Sequence, residues 1–252
     1  MDTLLTDDNT PALTGTVSDP DAVISVTIAG NTYGAVNNGD GTWTLADDTI
    51  SPALSDGTYD VQASATDLAG NVGTDATTDE LTVDTTAPVV TVDTLLTNDN
   101  TPELTGTVSD PAAAIEVTVD GNVYAAVNNG DGTWTLADNT ISPALADGTY
   151  DVSATATDSS GNVGTDATTD ELTVDTTAPV VTVDTLLTND NTPALIGTVN
   201  DPAAVIEVTV DGSTYAAVNN GDGTWILADD TISPALADGT YDVQANATDL
   251  AG

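Results

Sequence analysis

The stretch ALADGTYDVSATATD, residues 144–158, decides how this chain folds. Tyr150, Val152, Ala154 and Ala156 alternate with polar residues, which is the period of a β-strand that buries one face. A tyrosine at the start of such a strand, directly after a turn, is typical of the tyrosine corner, in which its hydroxyl group hydrogen-bonds to upstream backbone. The stretch therefore predicts the next-to-last strand of a β-sandwich.

The same pattern recurs along the chain because the sequence is a tandem repeat. Asp2, Asp93 and Asp184 each open the motif DTLLT, so the unit repeats at 91-residue intervals. A unit of about 90 residues suits one small domain and is too long for a solenoid repeat. The segments 93–161 and 184–252 differ at only 12 of 69 positions, which indicates a recent duplication.

Seven short strands are predicted in the middle copy, separated by turn signals rich in Asn, Asp, Gly and Pro. They lie at 88–92, 103–108, 114–120, 123–127, 133–137, 149–156 and 170–175. Together with the tyrosine corner, they predict an all-β, elongated tandem array of seven-stranded immunoglobulin-like β-sandwich domains. The expected repeats are 1–83, which lacks the start of its first strand, 84–174, which is complete, and 175–252, which lacks its last strand.

Charge limits what this chain can bind. It has 41 acidic residues and no Lys, Arg or His, so its net charge is −41, and this self-repulsion opposes compaction. Nucleic acid and anionic membrane surfaces are not expected partners, since both require basic patches. No apolar run approaches the roughly 18–20 residues of a membrane span. The opening MDTLLTDDNT has neither a basic nor an apolar region, so no signal peptide is expected here.

Carboxylates are expected to gather where two repeats meet. In a seven-stranded sandwich, the entering chain and the loops after the second and sixth strands lie at one end, which places Asp84, Asp110, Asp158 and Asn162 together. The opposite end of the preceding repeat carries Asp7, Asp8 and Asp56. Oxygen ligands without nitrogen or sulfur donors suit Ca²⁺, which extracellular modules bind at roughly 10⁻⁴–10⁻³ M. The predicted metal ligands are Asp84, Asp110, Asp158, Asn162, Asp175, Asp201, Asp249, Asp19, Asp67, Asp8 and Asp99. The alternative is that these residues are solvated turn residues, in which Asp is common.

Two further patterns have structural explanations. VNNGDGTW, residues 127–134, lacks acids at the spacing of an EF-hand and is expected to be a hairpin turn in which Asn and Gly adopt positive φ. Trp43, Trp134 and Trp225 could stack on sugars, but a lone Trp at the start of a strand is more often a core residue. Thr-rich strands are expected on any solvated β-face, although they also suit an ice- or mineral-binding array.

Enzyme function is not expected. The chain has no His, Cys or Lys to act as base, nucleophile or Schiff-base former. Carboxylate-pair chemistry such as glycoside hydrolysis would need a cleft, and a small repeated sandwich offers none. The absence of Cys also excludes disulfides and thiolate metal sites.

In its ordered motifs the chain resembles bacterial immunoglobulin-like repeats. DTTAPVVTVD, NDNTPxLTGTV, GDGTWTLAD and ADGTYDVxAxATDxxGN carry this resemblance over essentially the whole sequence. Such repeats form the extender regions of very large surface adhesins that are exported by type I secretion and carry RTX features elsewhere. The resemblance implies an extracellular, calcium-rigidified stalk on the bacterial surface, whose tip ligand the sequence does not reveal. A glycan- or protein-binding immunoglobulin-like module is the alternative.

Overall fold

The computed structural model describes residues 1–252 and is entirely β-structure, with no helix and hence none that could cross a membrane. The first repeat contains β1 Leu4–Thr6, β2 Leu13–Thr16, β3 Val23–Ile28, β4 Asn31–Asn37, β5 Thr42–Leu45, β6 Gly57–Tyr59, β7 Val61–Thr66, β8 Val72–Thr74 and β9 Leu81–Val83. The middle repeat contains β10 Leu95–Thr97, β11 Leu104–Thr107, β12 Ala114–Val119, β13 Asn122–Asn128, β14 Thr133–Leu136, β15 Gly148–Tyr150, β16 Val152–Thr157, β17 Val163–Thr165 and β18 Leu172–Val174. The third repeat contains β19 Leu195–Thr198, β20 Val205–Val210, β21 Ser213–Asn219, β22 Thr224–Leu227 and β23 Val243–Thr248.

The middle repeat shows how these strands form a sandwich. One layer pairs β11 with β14, and the other runs from β12 through β16 to β17. The long strand β13 belongs to both layers, because its first part pairs with β12 and its end pairs with β14. Strand β18 lies between β10, to which it is parallel, and β15, to which it is antiparallel. The predicted immunoglobulin-like sandwich is therefore confirmed.

Three strand predictions need correction. The segment 88–92 forms only an isolated bridge between Val90 and Val108. The chain then forms β10, which the sequence did not predict, in a separate three-stranded sheet with β18 and β15. The sixth strand is interrupted at Asp151, because the Val152 N–H donates to the Glu171 side chain at 3.0 Å. Strand β17 was also not predicted, since its residues VGT lack a clear alternating pattern.

The tyrosine corner is confirmed in every repeat. The Tyr59, Tyr150 and Tyr241 hydroxyl groups donate to the carbonyl oxygens four residues upstream at 2.7, 2.9 and 3.0 Å. These bonds hold the turn before the sixth strand. They therefore also hold the acidic residue in that turn, which is Asp56, Asp147 or Asp238 in the three repeats.

The tryptophans are core residues, as predicted. Trp134 and Trp225 are fully buried and Trp43 is nearly so, which leaves no tryptophan face for stacking on a sugar. Trp134 Nε1 donates to the Thr91 carbonyl at 2.9 Å, so the residue also anchors the segment 88–92 at the start of its repeat. In a core without Phe, each Trp supplies bulk that the small Val and Ala side chains cannot.

The predicted turn at 127–134 is confirmed, with one correction. Gly130 and Gly132 have positive φ, as expected, but neither Asn does. Asn128 instead uses its side chain, whose Nδ2 donates to the carbonyls of Asp110 and Ala113 at 2.9 Å. The turn is thereby tied to the neighbouring loop at the same end of the sandwich.

Candidate functional site

The first joint is the contact between the first and middle repeats, and it is formed by Asp7, Asp84, Asp158, Ser160 and Asn162. Asp84 directly follows β9, and its backbone N–H donates to the Thr6 carbonyl at 3.0 Å. Asp158 directly follows β16, and Ser160 and Asn162 belong to the loop between β16 and β17. All five residues therefore follow strand ends, of β1 and β9 in the first repeat and of β16 in the middle repeat, and they lie together at the first joint.

Asp158 organises its loop. Its Oδ1 accepts the backbone N–H groups of Ser160, Gly161 and Asn162 at 2.8, 2.8 and 2.9 Å, and its Oδ2 accepts Asn162 Nδ2 at 2.8 Å. Desolvation opposes ionisation of this carboxyl, but the hydrogen bonds from Asn162, Ser160 and Gly161 hold its pKa below the ordinary value. Asp158 is therefore a carboxylate at neutral pH in a loop of fixed shape.

This loop contacts both the linker and the preceding repeat. Asn162 Nδ2 donates to the Asp84 carbonyl oxygen at 2.7 Å, and Ser160 Oγ lies 3.4 Å from Asp84 Oδ2. On the other side, Asp7 of the first repeat approaches so closely that a Cβ on Gly161 would lie 3.7 Å from Asp7 Oδ2. The structure thus places the linker residue Asp84 beside Asp158 and Asn162. Their role as metal ligands stays a prediction.

The linker itself is held by an acidic residue that was absent from the predicted ligand set. Asp56 accepts the Thr85 N–H at 3.0 Å, the Thr85 hydroxyl at 2.8 Å and the Thr86 hydroxyl at 2.7 Å. Its pKa is lowered, chiefly by the hydroxyl groups of Thr86 and Thr85. Asp147 makes the same three bonds to Thr176 and Thr177 at the second linker.

At the second joint, between the middle and third repeats, equivalent positions carry different residues, and the Asn162 bond to the linker carbonyl has no counterpart. Asn98 stands where the first joint has Asp7, and Ala251 stands where it has Ser160. The Asn98 backbone N–H donates directly to the Ala251 carbonyl at 3.1 Å. Asp175 occupies the linker position, and Asp249 Oδ1 accepts the Ala251 and Gly252 N–H groups at 2.9 Å.

The remaining predicted ligands bond within their own turns. Asp19, Asp110 and Asp201 each accept the N–H two residues ahead, at 2.9, 2.8 and 2.8 Å, and none of them hydrogen-bonds to a linker. Asp67 holds Asn71 in the first repeat as Asp158 holds Asn162 in the middle one.

Asp8 and Asp99 likewise accept the N–H of Thr10 and Thr101, at 2.8 and 2.9 Å. Asp8 also lies beside Asp47, and the hydrogen bond and charge of Asp8 raise the pKa of Asp47. The structure thus brings Asp7, rather than Asp8, to the joint. A signal was present in the sequence, because Asp8 precedes a Thr by two residues, the pattern of a self-contained turn, whereas Asp7 does not.

The donor chemistry of the first joint fits a calcium ion, although no three carboxylates converge there into a preformed metal site. The carboxylates of Asp7 and Asp84 come from two repeats, and no basic side chain exists in the chain to neutralise them. The hydroxyl of Ser160 and the carbonyl of Asp84 add neutral oxygens, so every available donor is a hard oxygen ligand of the kind Ca²⁺ prefers.

The family described as "Bacterial Ig-like domain" matches residues 2–85, 90–176 and 181–252. This chain belongs to that family. The three matched segments account for nearly all of the 252 residues, so the given sequence consists of bacterial Ig-like repeats.

Solved structures similar to these bacterial Ig-like repeats include parts of large adhesins. A tetra-tandem repeat in the extending region of a large adhesion protein is 32% identical over 98% of this chain and 68% of that one, with a TM-score of 0.34. A 1.5-MDa bacterial ice-binding adhesin is 25% identical over 87% and 79%, with a TM-score of 0.38. A Ca²⁺-stabilized adhesin of an Antarctic bacterium is 19% identical over 94% and 68%, with a TM-score of 0.39. No curated protein matches this chain.

Proposed function

We propose that this chain is an extender segment of a bacterial surface adhesin, a stalk that holds an adhesive tip away from the cell and that is stiffened by Ca²⁺ at its joints. The observation that carries this proposal is the first joint, where Asp7 of one repeat and Asp84 of the linker meet the loop organised by Asp158 of the next repeat. The 32% identity to an extending region of a large adhesion protein supports the stalk role.

The linkers are built to limit bending. Only DTTA separates β9 from Pro88, and the proline restricts the preceding backbone. Asp56 then ties Thr85 and Thr86 to the first repeat, while Asn162 ties Asp84 to the middle repeat. A linker that is bonded to both of its neighbours transmits orientation from one repeat to the next.

Calcium would supply the positive charge that the chain lacks, since it has no Lys, Arg or His. At the first joint Asp7, Asp84 and Asp158 would hold the ion, and a divalent cation there would neutralise carboxylates that otherwise repel one another across the joint. At the second joint Asp175 and Asp249 take the corresponding places, with Asn98 instead of a third carboxylate. The extracellular location follows from the same proposal, since external calcium reaches the weak affinities typical of such modules.

The proposal is tested by melting and scattering in three solutions: millimolar CaCl₂, EGTA, and NaCl with EGTA at matched ionic strength. We expect calcium to raise the melting temperature and to give an extended particle on the order of 100 Å long, since each of the three repeats is about as long as the extended run from Gly148 to Thr157 at roughly 3.3 Å per residue. NaCl screens repulsion without bridging the loops, so it should restore little of either. Equal melting in all three solutions, or a compact particle in calcium, would contradict the proposal.

A further inference from the structure

Three turns in this chain contain the dipeptide Asn-Gly, which begins at Asn38, Asn129 and Asn220. The asparagine and the glycine are exposed to solvent in all three turns. This dipeptide is chemically labile, because glycine has no Cβ to keep its backbone nitrogen away from the preceding side-chain amide. Asparagine accordingly counts among the thermolabile residues of proteins. The contacts of each folded turn then decide how quickly this chemistry proceeds.

The turns of the middle and third repeats lie in identical stretches of sequence. Residues 124–134 and 215–225 both read YAAVNNGDGTW, and the next residue is Thr135 in the middle repeat and Ile226 in the third. Both turns also have the same backbone bond, since each reactive asparagine donates its N–H to the carbonyl of the threonine four residues ahead at 3.0 Å. A difference in reactivity must therefore come from contacts outside the identical stretch.

The glycine nitrogen is held in the same way in both turns. The Gly130 N–H donates to Asn128 Oδ1 at 3.1 Å, and the Gly221 N–H donates to Asn219 Oδ1 at 3.0 Å. The Asn128 and Asn219 side chains are themselves fixed, because each of them donates to two backbone carbonyls at 2.9 Å. The position of this nitrogen therefore does not distinguish the two turns.

The amide group next to that nitrogen is tethered twice in the middle repeat. Asn129 Nδ2 donates to the hydroxyl groups of Thr133 and Thr135, at 2.9 and 3.1 Å. An amide group has two N–H bonds, so both are used here. The first repeat has the same two tethers, from Asn38 to Thr42 and Thr44 at 2.8 and 3.1 Å.

The third repeat has only one of these two tethers. Asn220 Nδ2 donates to the Thr224 hydroxyl at 2.9 Å, but Ile226 stands where the second threonine would be and has no acceptor. The cross-strand neighbours of Ile226 are Ile196 and Val218, which have no hydroxyl group either. One N–H of the Asn220 amide is therefore left without a protein acceptor.

We propose that Asn220 is the site at which this chain first undergoes spontaneous deamidation. The Gly221 nitrogen loses its proton to solvent base and attacks Cγ of Asn220. The bond from Cγ to Nδ2 then breaks, and ammonia leaves after taking a proton from water. Water opens the resulting cyclic imide at either carbonyl, which gives aspartate or isoaspartate. Either product adds one carboxylate to the turn, and isoaspartate also lengthens its main chain.

The expected rates follow from the number of tethers. The side chain must leave its threonine partners to reach the glycine nitrogen, which breaks two hydrogen bonds at Asn129 and one at Asn220. One net hydrogen bond changes such an equilibrium by about two- to tenfold. Asn220 should therefore react about two- to tenfold faster than Asn129, and Asn38 should be as slow as Asn129. None of these contacts involves calcium, so the inference is independent of the stalk proposal.

The test follows deamidation of the full chain at mildly alkaline pH. Cleavage after Glu separates the three sites into the fragments 1–80, 117–171 and 208–252, and mass spectrometry of each fragment over time gives the three rates. We expect the fragment 208–252 to be modified first, at Asn220. In unfolding concentrations of urea, Asn129 and Asn220 should react equally fast, because their local sequences are identical. Equal rates in the folded chain, or the same difference in urea, would overturn the proposal.

Two substitutions test the assigned cause. Ile226→Thr restores the second acceptor and should slow Asn220 to the rate of Asn129. Thr135→Val removes one hydroxyl group from the middle repeat at similar volume and should speed Asn129 to the rate of Asn220. The rate at Asn38 is the internal control and should not change in either variant. An Asn220 rate that Ile226→Thr leaves unchanged, or an Asn129 rate that Thr135→Val leaves unchanged, would overturn the proposal.

Discussion

The two joints of this molecule share one design and differ in charge. At the first, Asp7 faces the loop at 158–162 of the next repeat, and the Ser160 hydroxyl lies near Asp84 Oδ2. At the second, the Asn98 backbone bonds directly to the Ala251 carbonyl, and both side chains that differ are uncharged. The first joint therefore has one more carboxylate than the second, and the second has a backbone hydrogen bond between its two repeats that the first joint lacks.

Under the calcium proposal, this difference predicts joints of different ion dependence in near-identical repeats. The linkers are the same in sequence and are held by the same bonds from Asp56 and Asp147. The residues that face across the joint differ, with Asp7 and Ser160 at the first joint and Asn98 and Ala251 at the second, and the Asn162 bond to the linker carbonyl belongs to the first joint alone. We therefore expect the calcium response to differ between the two joints.

The largest effect is expected from removing the acidic ligands of each joint in turn. One site gives about 2.7 kcal/mol of stabilisation at a hundredfold excess of calcium over its Kd. Asp84→Ala with Asp158→Ala should remove most of the calcium-induced rise in melting temperature that belongs to the first joint. The matched pair Asp175→Ala with Asp249→Ala should remove less. For each variant, calorimetry should compare the melting temperature in calcium minus that in EGTA. This difference cancels the loss of stability that Asp158→Ala causes by itself, since Asp158 also holds its own loop.

The next effect concerns the strand that leaves the first joint. Gly164→Ala should destabilise the middle repeat by about 1–3 kcal/mol, because the new methyl group overlaps the Pro88 carbonyl and must displace the strand. Gly73→Ala is the matched control at the equivalent position, where the space is open, and it should leave stability unchanged or slightly raised. Urea unfolding of both variants measures this, and equal losses would contradict the packing described here.

Exchanging Asp7 and Asn98, the residues that distinguish the joints, should reverse the order of their calcium affinities. Asp7→Asn should weaken calcium binding at the first joint by about five- to tenfold, the size expected for one charge near a divalent ion in a water-exposed site. Asn98→Asp should strengthen binding at the second joint by a similar factor. Calorimetric titration of both variants checks this, and an Asp7→Asn chain with unchanged affinity would remove Asp7 from the site.

The smallest effect is a common response of both linkers to acid. Hydrogen bonds from Thr86 and Thr85 lower the pKa of Asp56, and those from Thr176 and Thr177 lower the pKa of Asp147. Each carboxylate therefore stabilises the folded linker above its unfolded pKa of 3.8, and that stability is lost as the pH falls through the lower folded value.

In buffer freed of calcium beforehand, the two linkers should loosen together below about pH 4, and Asp56→Asn and Asp147→Asn should each abolish this response at one linker only. Amide exchange of Thr85 and Thr176 follows the two linkers separately. A pH dependence confined to one linker would show that the two are not equivalent.

The sequence predicted the sandwich because its strongest signals are local. Alternation around Tyr150 and the turns rich in Asn, Asp and Gly specify strands independently of their neighbours. Strand β10 was missed because its residues, Leu95–Thr97, are stabilised by distant β18 rather than by any pattern of their own. Non-local pairing of this kind leaves little trace in three residues.

The joint was predicted in part for a similar reason. Topology placed Asp84, Asp158 and Asn162 together correctly, since strand order fixes which loops share an end. The choice between Asp7 and Asp8 depended on side-chain direction, and Asp8 turns inward to Thr10. Asp110 was expected at the joint but bonds to its own turn at Ala112, an interaction that loop position alone does not reveal.

The central claim, that calcium stiffens the first joint more than the second, is tested most directly by distances across each joint. The chain has no Cys, so a spin label can be attached to any single Cys that is introduced. Val36, Val127 and Val218 are suitable positions, because they are equivalent, exposed and one in each repeat. Paired labels at 36 and 127, and at 127 and 218, report the two joints by pulsed dipolar spectroscopy.

We predict narrow distance distributions for both pairs in millimolar CaCl₂. In EGTA the distribution between 36 and 127 should broaden strongly and that between 127 and 218 less, and matched NaCl should not reverse either change. Distributions that are the same in calcium and in EGTA, or a second joint that loosens more than the first, would contradict the account.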